Sequence, residues 1–295
     1  MHDTGPGHPE NSGRLVEVIA ALKTCDYADQ LVIKDAPMGE DEHILRAHTQ
    51  TYLDIIKESV PQSGYSALDG DTTMSPDSLK AAYRAVGAAC TSVDTIMAGE
   101  HSTVFCAVRP PGHHATRSRP MGFCLFNNIA IAALYALEEK GVERIAIIDF
   151  DVHHGNGTQD IVQEEGRIFY ASTHQSPFYP GTGYEDEKGV GNILNIEMPA
   201  GIGSEAYRKE FSEKLIPALK VFDPELLLIS AGFDSHEDDP LAQMRLDEDD
   251  FHWIGQQLHK IAQDHCSGRS ISMLEGGYNH QALADSAVSY LRAFV

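Results

Sequence analysis

Short apolar runs rich in β-branched residues recur along this chain, and longer stretches with helical apolar spacing lie between them. The runs at 104–108 (VFCAV), 145–149 (IAIID), 168–172 (IFYAS), 192–196 (NILNI), 226–231 (LLLISA) and 270–274 (SISML) predict strands, with LVI at 31–33 a weaker candidate. Helices are predicted near 13–23, 49–59, 77–98, 126–139, 204–221, 247–265 and 281–293. Between Ser78 and Ala98 apolar residues recur at i, i+3 and i+4, with Pro76 just ahead and Gly99 just past the end. Strands alternating with helices imply βαβ units, hence an α/β fold whose parallel sheet is covered on both faces. No internal repeat or low-complexity linker breaks the pattern, and one domain over residues 1–295 is expected.

The polar residues follow the strands consistently. VFCAV leads into RPPGHHA, IAIID into FDVHHGNG, LLLISA into GFDSHEDDP and SISML into EGGYN. In parallel sheets, sites form beyond the carboxyl ends of the strands, so these four ends point to one rim. In an extended segment alternate side chains share a face, which sets Asp149, Asp151 and His153 against Phe150 and Val152. Asp151 and His153 make a ligand pair suited to zinc, and Asp234 in SAGFDS is the best third candidate. Taken singly, Asp151 reads as a turn cap and His153 as a core histidine. Together, three ligands that leave coordination positions open fit a catalytic site.

Adjacent His113 and His114 after a Pro-Pro-Gly turn suggest proton transfer near neutral pH. Asp149 could orient one of them and Asn156 the other, so the two should titrate differently. Tyr278, after two glycines, could donate to a developing oxyanion, though a tyrosine there is often only a turn residue.

Composition narrows the function class. The 295 residues suffice for one large α/β domain or two small ones, and 42% hydrophobic with 22% charged residues is ordinary for a globular chain. The net charge of −22 disfavours nucleic acid, and an acidic surface is a simpler reading of it than a tuned substrate funnel. No apolar run approaches the ~18–20 residues of a membrane span. The N-terminal MHDTGPGHPENSGRL lacks the apolar core of a signal peptide, so cytoplasmic residence is expected. Five widely spaced cysteines without a CxxC argue against disulfides and thiolate zinc sites. Among the remaining motifs, GTGYEDEKGVG does not match a phosphate loop. HEDDP at 236–240 is either part of the site rim or a solvated loop.

RPPGHHA, DFDVHHGNG, STHQSPFYPGTG, SAGFDSHEDDP and EGGYN, in this order, resemble the zinc-dependent histone deacetylase family, closest to its class II-like, bacterial amidohydrolase and acetylpolyamine amidohydrolase branch. The resemblance runs from HDTGPGHPE to the C-terminus. It implies the three-layer α/β/α arginase–deacetylase fold with a mainly parallel, roughly eight-stranded sheet. It implies one zinc held by Asp151, His153 and Asp234, and a structural potassium bound by Asp149, Asp151 and His153, largely through backbone oxygens, with Ser172 and Thr173. By the same likeness, Asp149 orients His113, Asn156 orients His114, and Tyr278 polarises the acyl carbonyl. Gly122, Phe123 and Tyr179 resemble walls of the acyl-lysine tunnel, and Leu241 and Gly276 fall with the substrate-binding positions.

Two departures stand out. Family members usually carry a strand ahead of HDTGPGHPE; either the given sequence is incomplete at its start or the sheet lacks an edge strand. Polyamine-selective relatives place glutamate after the DP of the Asp-ligand loop, where this chain has Leu241. The expected reaction is therefore hydrolysis of N-acetyl-lysine in a peptide or protein, with acetylated polyamines as the alternative substrate. A ureohydrolase-like enzyme would need an Asp-x-His-x-Asp run, but Gly155 holds the last position. A catalytically silent acyl-lysine binding module is the remaining reading, and a homo-oligomer is compatible with all of them.

Overall fold

The computed structural model describes residues 2–295. Its main sheet contains β3 (Thr103–Cys106), β4 (Ile145–Asp149), β5 (Ile168–Gln175), β6 (Ile193–Met198), β7 (Leu226–Ala231) and β8 (Ser270–Leu274); a separate antiparallel ribbon is formed by β1 (Ser66–Ala67) and β2 (Thr73–Met74). The sheet order is β3-β8-β7-β4-β5-β6, and every pairing within it is parallel.

Each of the six main strand windows expected from the apolar runs is occupied by a strand. The sheet has six strands among the described residues rather than the eight the resemblance implied. Residues 31–33 do not join it: Val32 and Ile33 are 65% and 59% exposed, and Lys34 and Asp35 follow at once, so the run is too short and too wet to pair.

Two apolar layers sandwich the sheet. Ile145, Ile147, Leu226 and Leu228 pack with the helices Ser78–Met97 and Asn128–Glu139, while Ala146, Ile148, Leu227 and Ile229 pack on the other face with Glu248–His265 and His280–Leu291. Both faces being covered is why these strands read as unbroken apolar runs. Phe150 and Val152 belong to the second layer.

The helices also follow the apolar spacing, with two differences. Asp41–Ala47 and Asn156–Val162 are helical without having been legible, each being seven residues long. The expected helix at 204–221 contains a wider π turn over Phe211–Leu215, just before Pro217. Proline has no N–H to continue an ordinary ladder, which accounts for the wider turn there.

Buried His48 ties the first of these short helices to the loop after the tandem histidines. Its Nδ1–H donates to the Thr116 carbonyl at 2.9 Å, and its Nε2 accepts the Asn127 N–H at 2.9 Å. Burial lowers its pKa to about 4, below the ordinary histidine value of 6.5. A folded value below the unfolded one means that the stability it contributes is present above pH 6.5 and lost as pH falls toward 4. The loss attributable to this ring is on the order of 3 kcal/mol. Urea unfolding at pH 7 and pH 4.5 is expected to show that decline, and His48→Gln to flatten it.

Candidate active site

β3, β8, β7 and β4 are consecutive neighbours, so the four polar loops that follow them meet along one edge of the sheet. Asp151, His153 and Asp234 converge there, each offering a donor atom within 4.8 Å of the others. His153 Nδ1 lies 3.2 Å from Asp151 Oδ1 and 3.1 Å from Asp234 Oδ2. The remaining oxygens are held by backbone. Asp234 Oδ1 accepts the Val152 N–H at 2.9 Å, and Asp151 Oδ2 accepts the Gly276 N–H at 2.8 Å. A side chain at Gly276 would overlap both carboxylates, so this glycine lies against the acids themselves.

The electrostatics of this group suit a cation. Burial, then the charge of Asp151, pushes the Asp234 carboxyl up to about 7. Burial alone would lower His153, yet its bonds to Asp151 and Asp234 hold it up at about 10. A proton on His153 thus sits between two buried acids, where a divalent cation would satisfy both better. One nitrogen and two oxygen donors fit such an ion and leave positions for water and substrate.

The tandem histidines are fixed by different partners. His113 Nδ1–H donates to Asp149 Oδ2 at 3.0 Å, and His114 Nδ1–H donates to Asn156 Oδ1 at 2.8 Å. Their ring centroids are 4.0 Å apart, and His113 Nε2 stands 3.9 Å from Asp151 Oδ1. Burial works against charge on His113, but Asp149 and Asp151 raise its pKa well above the ordinary value. His114 is pushed well below it, by burial and then by the charges of His113 and His153. One ring therefore favours the cation and its neighbour the neutral base.

Sequence reasoning missed the anchor of this turn. Glu275, fully buried, accepts the N–H groups of Gly112 at 2.7 Å and His113 at 3.2 Å on one oxygen, and the Ser230 hydroxyl at 3.0 Å on the other. Burial pushes its carboxyl up to about 7. An acid directly behind the strand run SISML was the signal available for it.

The Tyr278 ring is partly accessible, but its hydroxyl is deeply surrounded; burial there, followed by the charge of Asp234, raises its pKa and keeps it protonated. The Arg14 guanidinium lies 5.0 Å over this ring, and Phe123 meets it edge-on at 5.8 Å. Gly122 and Phe123 both take positive φ, +57° and +67°, an uncommon conformation for a phenylalanine. Their N–H groups donate to Asp71 Oδ1 and Thr72 Oγ1, each at 3.1 Å. A Cβ at 122 would overlap the His114 ring, so glycine permits the close approach.

Tyr179 packs edge-on to His114 at 5.3 Å and to His153 at 6.0 Å. Its neighbour Phe178, also missed, stacks on His153 at 5.2 Å. Leu241 is 37% exposed. Ser172 is paired in register with Asp149, and its hydroxyl contacts His174 Nδ1 at 2.9 Å. The Thr173 hydroxyl contacts that of Tyr207 at 2.8 Å. At Gly155 an added side chain would run into the Asp149 carboxylate and the Tyr170 hydroxyl, so the acid of a two-metal run has no room.

Comparison with known proteins gives a consistent picture. Residues 8–294 match the model of the histone deacetylase domain. The chain is similar to a probable deacetylase of Methanothermobacter thermautotrophicus, 39% identical over 97% of this chain and 85% of that protein. It is similar to the histone deacetylase-like amidohydrolase of Pseudomonas aeruginosa, 36% identical over 92% of this chain and 73% of that protein. Among solved structures it superposes on the HD domain of HDA15 with a TM-score of 0.93 and 33% identity, covering 99% of this chain and 84% of that one. No helix among the described residues is long and apolar enough to cross a membrane.

Proposed function

Because the chain belongs to the histone deacetylase family over residues 8–294, we propose that it is a zinc-dependent deacetylase that hydrolyses N-acetyl-lysine in peptides or proteins to acetate and free amine. The observation that carries this reading is the meeting of a buried Asp151–His153–Asp234 donor set with two adjacent histidines of opposite protonation tendency. In it, residues 1–295 form one catalytic domain. Asp151, His153 and Asp234 would hold one zinc ion, which when bound supplies a Lewis acid for the acyl carbonyl and brings a water pKa near about 7.

The chain's own groups do the rest. His114, neutral and oriented by Asn156, presents Nε2 to accept a proton from the attacking water and then returns it to the leaving amine. His113, held cationic by Asp149, stabilises the negative charge that develops beside it. Tyr278 donates its hydroxyl to the carbonyl oxygen as that oxygen becomes anionic. Phe123 and Tyr179 flank the acyl chain and exclude water, with Gly122 allowing the close approach. Asp149, Asp151 and His153, with Ser172 and Thr173, would hold a structural potassium ion.

Leu241 gives the entrance an apolar residue rather than an acid, which favours an acyl-lysine peptide over an acetylated polyamine. The five free cysteines fit a reducing compartment, the cytoplasm in this reading.

Zinc-loaded protein offered an acetyl-lysine peptide, longer acyl-lysines and acetylated polyamines is expected to release the carboxylate of each acyl group, acetate from the acetylated ones, with kcat/KM for the acetyl-lysine peptide ahead by about 10-fold or more. A chelator should abolish turnover and added zinc restore it, at one zinc per chain by elemental analysis. Faster polyamine turnover would move the assignment to an acetylpolyamine amidohydrolase. Binding without acetate release would reduce the chain to an acyl-lysine binding module.

A further inference from the structure

We infer that Asp239 is the positioning residue for Tyr278, anchoring the phenol from the loop that carries Asp234. The inference rests on the hydrolytic reading above, in which Tyr278 acts on the acyl carbonyl.

HEDDP at 236–240 is only partly a solvated loop. Glu237 and Asp238 are exposed, whereas Asp239 is buried at 7% exposure. Both of its carboxylate oxygens turn to backbone. Oδ1 accepts the Leu241 N–H at 2.9 Å, within its own loop. Oδ2 accepts the Tyr278 N–H at 2.7 Å, across 39 residues of sequence. The second bond is not needed to close the loop. Its acceptor is ionisable and its donor belongs to the residue that bears the phenol, which makes it a strong, directional tie.

The tie attaches just past a two-glycine turn, whose Gly277 carbonyl accepts the Arg14 Nε–H at 2.6 Å. Gly276 and Gly277 precede Tyr278, and Gly277 takes φ +118°, a region closed to most residues. Asn279 follows as the cap of the helix His280–Leu291, its Oδ1 accepting from Gln281 and Ala282. Tyr278 is therefore the single joint between a two-glycine turn and a capped helix. Two further bonds tie the Asp234 loop to the same junction. The Phe233 N–H donates to the Gly276 carbonyl at 3.0 Å, and the Asn279 amide donates to the Asp238 carbonyl at 3.2 Å. The loop that supplies the third metal-site acid thereby also fixes the direction of the tyrosine. Because its oxygens are engaged by N–H groups, Asp239 acts through Tyr278.

The test is a double-mutant cycle on zinc-loaded protein, with kcat, KM and zinc content measured for wild type, D239A, Y278F and the double variant. Y278F is expected to lower kcat by about 10²–10³-fold. D239A should lower kcat by about 10-fold or more, with KM within about 2-fold and zinc retained. Added to Y278F, D239A should change kcat by less than about 2-fold, since there is no hydroxyl left to place. D239N, whose single carbonyl oxygen accepts from only one of the two N–H groups, should fall between wild type and D239A, and it supplies the same cycle if D239A does not fold. Equal losses from the Asp239 substitution in both backgrounds, unchanged kcat, or loss of zinc from the Asp239 variants would each overturn the role. Unchanged turnover in Y278F would instead overturn the hydrolytic reading of Tyr278.

Discussion

Asp234→Asn is expected to leave a folded protein that binds zinc more than ~100-fold more weakly and releases acetate only at background rate, even with zinc in excess. Partners one step removed from a metal cost 10–100-fold in affinity when lost, and a direct donor costs more. The detail that makes asparagine so damaging is backbone. Asp234 Oδ1 already accepts the Val152 N–H, while Oδ2 faces His153 Nδ1. An amide keeps its oxygen on Val152 and turns its NH2 group toward the donor cluster, where it repels a cation instead of binding one. Burial and the charge of Asp151 push the Asp234 carboxyl up to about 7, so a cation placed beside it would offset a costly buried charge. Zinc addition should raise the melting temperature of the wild type, because it binds only the folded state. The variant should show no such rise. Titration of zinc followed by calorimetry and by acetate release measures both effects. A variant that still binds zinc tightly would place the metal elsewhere.

His114→Ala is expected to lower kcat by about 10²–10⁴-fold, with KM and zinc content little changed, since a positioned proton acceptor contributes that much. The same change at His113 should cost less. The difference follows from their partners. A carboxylate on His113 favours the imidazolium, which cannot take a proton from water. An amide on His114 orients the ring without supplying charge, and burial beside two other histidines keeps it neutral. Only the neutral ring can act first as base and afterwards as acid. Steady-state kinetics of the two variants decide the order. A larger loss at His113 would exchange the two roles.

Much of this was legible in the chain. The strand windows followed from β-branched runs, and the polar residues behind them were read correctly as one rim. Asp149, Asp151 and His153 are separated by single residues, and that alternation against Phe150 and Val152 was legible, although the strand ends at Asp149 and residues 151–153 bend. The glycine at 155 already argued against a second metal, and the structure adds the steric reason.

Other features were closed to the sequence for physical reasons. The helix at Asn156–Val162 buries Thr158 and Gln159 through partners far along the chain, so its apolar pattern is weak. Glu275, Asp239 and Phe178 act through a backbone N–H or a ring that is remote in sequence, and residue type gives no sign of which donor a buried carboxylate will meet. Local spacing determined the strands, their polar ends and the acid–histidine pair, because these depend on near neighbours along one backbone. The chain crossings decided the rest: the order β3-β8-β7-β4 sets Asp234 beside His153 across 81 residues and fixes which histidine meets which partner. Those distances depend on how strands are ordered side by side, which the periodicity of a single strand does not encode.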